Sequence, residues 1–411
     1  MSDSFRYRKI FVIGSGFFAL TLVWTFYNAF MPIILAEHIE KQSIIGFIMG
    51  LDNLLAILLI PLIGSWSDRV QTRFGNRLPF LIVGMPLAAL FFILLPFVAD
   101  TLWILISIDI LFLLAMTLYR APVISLMPDH TPPKKRSFAN GIINLLGGIG
   151  AIIALFGLSQ LFDINPIYPF TIASIILMAS FFFLFFVVDR KPAYSSNTLD
   201  DQEETIATRS LRKRFILLFE KKNRSSLFIL LAIFIYFIGY ASVEALFTLY
   251  AQQTLGFSPG LAGTTLGFFS LSFVLFALPA GWIGQKFGKI KTMMIGLSIL
   301  PLIFLTIPFY TEALPLQMTL FVAGCAWALV NVQAYPLVAD LGGLTSIGLF
   351  TGFYYLFSMS ANIVGPFFLG GMVDLFGGPT LFYVSSLTFV LALFILHLGK
   401  KQLVLKKEKV A

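Results

Sequence analysis

Four ionisable side chains, Asp52, Asp109, Arg120 and Glu244, sit inside long apolar runs of a 411-residue chain. A charge placed in hydrocarbon is expensive, so such groups point first to proton carriage or ligand binding. Three acids face one base. A direct ion pair neutralises at most one of them, and the others must hold a proton, accept hydrogen bonds or face water. With about 1.5 Å of rise per helical residue, all three acids fall roughly 12–15 Å below one end of their runs. Tyr27 and Asn28 come out at a similar depth, which places a polar layer inside a greasy protein.

The spacing of Asp109 and Arg120 is the sharpest signal. Eleven residues is close to three whole helical turns, so the two share a face to within about 20° but stand roughly 16 Å apart along it. One reading puts a ligand in the space between them. The other makes Asp109 an end residue stabilised by nearby water and lets Arg120 snorkel to the interface. Asp52, next to Asn53, is either a second proton site or a satisfied helix–helix hydrogen bond. Glu244 follows Tyr236 and Tyr240 at i+4 spacings, a stripe suited to stacking on a ring and binding its hydroxyls, or simply to packing. Trp24, Asn140, Asn144, Asn331, Gln333, Tyr354, Tyr355 and Asn362 are further candidates for the substrate site. Amides and tyrosines between helices also serve as structural glue.

Hydrophobic residues make up 58% of the chain, charged residues only 12%, and the mean hydropathy is +0.91. A soluble domain is about 25% charged, so these groups must be positioned by a membrane protein. One cysteine (Cys325) and three scattered histidines exclude a disulfide framework and leave little for a metal site. Twelve apolar runs have bilayer length: 10–36, 43–66, 79–98, 101–127, 138–160, 166–188, 226–254, 259–283, 292–310, 314–338, 343–371 and 378–399. The first is too long for a signal peptide and is read as a retained span. The net charge of +8 is not a nucleic-acid footprint, because 26 of the 28 basic residues fall in alternate loops and the termini. That pattern predicts cytoplasmic N- and C-termini.

Residues 189–225 form one long hydrophilic segment, read as a cytoplasmic linker between an N-terminal six-helix bundle (1–188) and a C-terminal one (226–399), with a basic tail at 400–411. A repeat supports the division. After the second run the chain has Gly64, Asp68, Arg69, Arg73, Gly75 and Arg77; after the eighth it has Gly281, Gln285, Lys286, Gly288, Lys289 and Lys291. Six plus six helices with such a repeat is the plan of a rocking transporter with a central site.

These loops resemble the signature G-x-x-x-D-R/K-x-G-R/K-x-R/K of the major facilitator superfamily. Gln285 replaces the acid in the second copy. The first copy carries four extra residues and is similar to the S-D-R-x-x-x-R-x-G-x-R-x-P form of the proton-coupled sucrose and disaccharide transporters and their bacterial relatives, with Asn76 and Leu78 departing from it. The resemblance implies an all-α fold of twelve transmembrane helices in two pseudo-symmetric bundles, and gating roles for Asp68, Arg69, Gly75, Arg77, Lys286 and Gly288. Plant sucrose transporters have an Asp and an Arg at the same spacing on the fourth helix, which implies that Asp109 takes the proton and Arg120 holds the sugar. Asp52 and Glu244 are the other proton-coupling candidates; Tyr27, Asn28, Trp24, Tyr240, Asn140, Asn144, Asn331 and Tyr355 complete the substrate site. Gly365, Pro366, Gly370 and Gly371 are similar to the glycine–proline motif of facilitator antiporters, in the mirrored helix, and are read as a kink and hinge.

The expected activity is proton-coupled sugar symport by alternating access. The alternative is proton-coupled export of a drug-like or metabolite substrate. The expected partners are a small molecule, protons and the lipid bilayer of the cell membrane, with a monomeric chain, no cofactor and no nucleic acid. An integral-membrane enzyme would need a nucleophile, a metal cluster or a cytoplasmic domain, and the sequence offers none of these.

Overall fold

The computed structural model describes residues 7–132, 135–190, 192, 194, 224–342 and 347–408. Most of the expected linker 189–225 and the end of the tail 400–411 lie outside the described residues, as do Arg6 and Lys134. Among the described residues, twelve helices are long and apolar enough to cross a membrane. They are α1 (Tyr7–Ala36), α2 (Gln42–Arg69), α3 (Leu78–Leu94), α4 (Leu102–His130), α5 (Arg136–Ile152), α6 (Ile167–Val187), α7 (Arg224–Leu255), α8 (Pro259–Phe287), α9 (Lys289–Thr306), α10 (Ala313–Gly342), α11 (Ile347–Phe376) and α12 (Thr380–Glu408). The α5 rod continues through a π-helical stretch, Ile153–Leu158, and a last piece, Ser159–Ile164.

Helices are what a lipid solvent demands, because each span satisfies its own backbone hydrogen bonds. The side chains left outside are apolar to match. Leu278 is 86% exposed and Phe186 76%, which would be untenable in water and is ordinary against acyl chains.

The chain forms two compact units. Unit 1 comprises Met1–Glu40, Leu51–Asn197 and Thr248–Gly267; unit 2 comprises Lys41–Gly50, Thr198–Phe247 and Phe268–Ala411. The first turns of α2 therefore pack within unit 2, and the end of α7 with the start of α8 within unit 1. Unit 1 is cored by phenylalanines: Phe26 stacks on Phe30 at 4.4 Å, and Phe92 meets Phe170 at 4.7 Å. In unit 2, Phe304 packs edge-on against Phe389 at 5.2 Å, tying α9 to α12.

Candidate functional site

Unit 1 gathers its polar layer from three helices. α1 supplies Trp24, Tyr27 and Asn28, α2 supplies Asp52, and α4 supplies Asp109 and Arg120. Asp109 and Tyr27 have no solvent exposure and Asp52 has 5%. The Tyr27 ring packs on Phe112 of α4 at 5.2 Å, and Phe112 is one turn from Asp109, so ring packing brings the Tyr27 hydroxyl to the Asp109 carboxyl. The hydroxyl lies within reach to donate to the carboxylate, although the pair falls short of strict hydrogen-bond geometry. Asp52 is near enough to repel Asp109, and the Arg120 charge acts on Asp52. The Asp52 Oδ1 accepts the Asn53 side-chain amide at 2.6 Å. The Arg120 guanidinium lies over the Trp24 ring at 5.3 Å, a cation–π contact across α1 and α4. Asn28 is half-buried beside Tyr27. A buried carboxyl set beside a second acid is a place where a proton has somewhere to reside.

Unit 2 builds a different interior. The Tyr240 ring lies flat on Trp327 of α10, with centroids 4.0 Å apart and planes 6° apart, and Phe269 of α8 flanks Tyr240 at 6.0 Å. Tyr236 and Phe237 meet Trp327 edge-on at 5.6 and 5.7 Å. Glu244, one turn beyond Tyr240, accepts the Tyr240 hydroxyl. Asn331 is half-buried one turn beyond Trp327. The stripe of Tyr236, Tyr240 and Glu244 thus faces a tryptophan that the sequence reading passed over, because a lone tryptophan in an apolar run looks like packing. Tyr236 and Trp327 are fully buried, so half-buried Tyr240, backed by Trp327, is the ring a ligand reaches, with the Glu244 carboxylate beside it to orient that ligand.

The other candidates make further contacts. Asn140 and Asn144 are exposed on α5, with the Asn144 amide donating to the Asn140 carbonyl at 2.9 Å. Gln333 donates to the Ala280 carbonyl at 2.8 Å and serves as a helix tie. Tyr355 is half-exposed and packs beside Tyr354 and Tyr335.

The repeated loops have matching geometry. Gly75 and Gly288 both take left-handed backbone angles, φ +85° and +92°, which explains why glycine recurs at that place. A methyl group on Gly75 would also strike the Arg190 carbonyl. Arg77 bridges Asp68 and Asp129, with Nε 3.0 Å from the Asp129 carboxylate, and also donates to Ser67. Arg69 is exposed at the end of α2. In the second copy the cation that pairs is Lys289, 2.6 Å from Asp340, and not Lys286, which lies over Trp282 at 5.0 Å. Asp129 and Asp340 were not among the sequence candidates. Their matched positions near the ends of α4 and α10 are the signal that would have found them.

The sequence matches the Major Facilitator Superfamily over residues 13–342 and again over 229–410. The chain belongs to that superfamily. Members of this superfamily are membrane transporters of small molecules and not enzymes, and they generally need no cofactor. Among superfamily members, the class H tetracycline resistance protein of Pasteurella multocida is 30% identical over 281 residues, 66% of this chain. The match spans 65% of that protein, less than two thirds of its length. The proton-associated sugar transporter A of Homo sapiens is 29% identical over 77 residues, 19% of this chain and 10% of that one. The solved structure of the nucleoside transporter NupG superposes with a TM-score of 0.74 at 14% identity, covering 95% of this chain and 99% of that one, a likeness of fold. The long match to a tetracycline resistance protein and the short one to a sugar transporter leave sugar symport unconfirmed and put the two expected cargo classes on about an equal footing.

Proposed function

We propose that this superfamily member exports a planar, amphipathic small molecule in exchange for protons, with Asp109 as the proton carrier. The observation that carries the proposal is the fully buried Asp109 carboxyl, set against the Tyr27 hydroxyl and the Asp52 carboxyl. Protonation removes the cost of a bare charge in hydrocarbon, and deprotonation restores it, so the acid ties the energy of the bundle to the proton gradient. One charge crossing 100 mV supplies ~2.3 kcal/mol, enough for a roughly 50-fold gradient of cargo. The cargo rests against the Tyr240–Trp327 wall, oriented by Glu244. The likeness to a tetracycline resistance protein supports this class of cargo. In this reading residues 1–188 and 226–399 are the alternating halves, and the basic loops and both termini face the cytoplasm of the cell that bears the protein in its plasma membrane.

A second reading, sugar symport, is favoured by the Asp109–Arg120 spacing on α4 and by the short match to a proton-associated sugar transporter. The test uses everted vesicles with an internal pH dye, with tetracycline and sucrose as probes. Export by exchange requires tetracycline to discharge the proton gradient, and Asp109→Asn to abolish the discharge. Discharge by sucrose alone supports the second reading. Tetracycline discharge that survives Asp109→Asn overturns the proton assignment.

A further inference from the structure

Two carboxylates outside the site cap helix ends, and they do so in matched places. Asp163 stands one residue before the end of the last α5 piece, and Asp374 two residues before the end of α11. Asp163 Oδ1 accepts the Gly260 N–H at 2.7 Å, and its Oδ2 accepts the Ser258 hydroxyl at 2.6 Å. The Ser258 oxygen in turn accepts the Leu261 N–H at 3.2 Å, so the start of α8 is closed by a two-residue cap. Asp374 Oδ1 accepts the Gln42 N–H at 2.7 Å, and its Oδ2 accepts the Ser43 N–H at 3.0 Å and hydroxyl at 2.6 Å, at the start of α2. First-turn amides lack intrahelical partners, and a carboxylate both satisfies them and meets the positive end of the helix dipole.

The pairing is crossed. By order in the chain, α5 and α11 are the fifth helices of their six-helix halves, and α2 and α8 the second. The fifth helix of each half therefore caps the second helix of the other. Backbones meet closely at both places: a methyl group on Gly260 would strike the Ser159 carbonyl, one on Gly370 the Gln42 carbonyl, and one on Gly46 the Pro366 carbonyl. Gln160 adds a 2.6 Å bond to Thr264 on α8. Glycine at Gly370 thus serves a close approach, which gives a physical reason for part of the α11 glycine–proline motif.

The geometry points to Asp163 and Asp374 as twin latches that hold the side bearing the short α1–α2 turn shut and let go once in each transport cycle. Both carboxylates are exposed, so water replaces their bonds readily on release. Any opening of this side that parts the two halves must break both caps, because the same few residues join α5 to α8 and α11 to α2. The inference rests on membership of the transporter superfamily and on the proposed orientation, with the α1–α2 turn outside, and on neither the cargo nor the proton assignment.

The test uses Thr248→Cys as a reporter in a Cys325→Ser background. Thr248 has no exposure and donates to the Ala29 carbonyl at 2.5 Å, so its thiol reacts with an impermeant maleimide added to intact cells only when this side opens. Asp163→Ala or Asp374→Ala is expected to raise the labelling rate about fivefold, the equivalent of ~1 kcal/mol per lost cap, and both together roughly 25-fold. Asp163→Asn keeps an oxygen for the Gly260 N–H and turns its amide to the Ser258 hydroxyl, and is expected to stay within about twofold of the parent. Unchanged labelling in both alanine variants overturns the proposal. Where the alanine variants fail to reach the membrane, the pair Asp163→Cys with Ser258→Cys decides. Oxidation is expected to cut reporter labelling at least about tenfold, with recovery under reductant. Thiols that do not couple, or labelling that oxidation leaves unchanged, contradict it.

Discussion

The fully or almost fully buried charged residues among the described part of the chain, Asp52, Asp109 and Asp129, all fall in unit 1. Unit 2 answers with rings: Tyr236, Phe237, Tyr240 and Trp327, and a half-buried Glu244 bonded to Tyr240. Around these interiors the frames match, with a left-handed glycine in each repeated loop and a cation on each side reaching an acid near the end of a neighbouring helix. A repeat keeps what the scaffold needs and is free to differ where ligands sit. Under the proposed function the difference amounts to a division of labour, in which the acids of unit 1 handle the proton and the aromatic wall of unit 2 handles the cargo.

That division is open to attack at several points. The largest effect is expected from Asp109→Asn. Proton movement driven by the tetracycline probe should fall by about a hundredfold or more, the scale on which losing a positioned proton carrier acts, while tetracycline binding by purified protein is retained. Loss of binding with coupling intact would reverse the assignment of the two units.

Next in size is the contrast between the loop pairs. The Arg77 and Asp129 side chains are only 12% and 10% exposed, whereas Lys289 and Asp340 are 30% and 63% exposed. Arg77→Ala leaves a buried carboxylate unpaired and should cost about 3 kcal/mol, read as a lowered thermal midpoint in detergent. Lys289→Ala should cost less than about 1 kcal/mol. Equal losses would mean that burial does not separate the two copies.

Tyr240→Ala should weaken tetracycline binding up to about tenfold, the worth of one aromatic contact, with proton titration untouched. A tyrosine that matters only for packing would lower stability and leave affinity unchanged. The smallest contrast lies in the loop glycines. Gly288→Ala pays only for its backbone angle, about 1 kcal/mol, since open space surrounds it. Gly75→Ala meets the Arg190 carbonyl as well and should lose more, again by thermal unfolding.

Much of this was legible in the sequence, for reasons that differ from residue to residue. The twelve helices follow from run length, because hydrocarbon permits little else. The shared depth of Asp52, Asp109 and Tyr27 follows from helical rise, which needs no knowledge of neighbours. The spacing of Asp109 and Arg120 was correct as geometry on one helix, yet the Arg120 charge acts on Asp52 of α2, a tertiary relation that a single-helix argument does not contain. Trp327 was hidden by its apolar surroundings, and Asp129 by its place at a helix end, where a solvated carboxylate is the ordinary expectation. The caps on the starts of α8 and α2 depend on Asp163 and Asp374, which look like loop charges until the helices they cap are in place.

Infrared difference spectroscopy between acidic and alkaline buffers tests the division of labour most directly, because it needs no cargo. Among the carboxyl C=O bands that titrate, the division of labour requires one that Asp109→Asn removes and Glu244→Gln leaves in place. A titrating spectrum that Asp109→Asn leaves unchanged, or loss of that same band with Glu244→Gln, would contradict it.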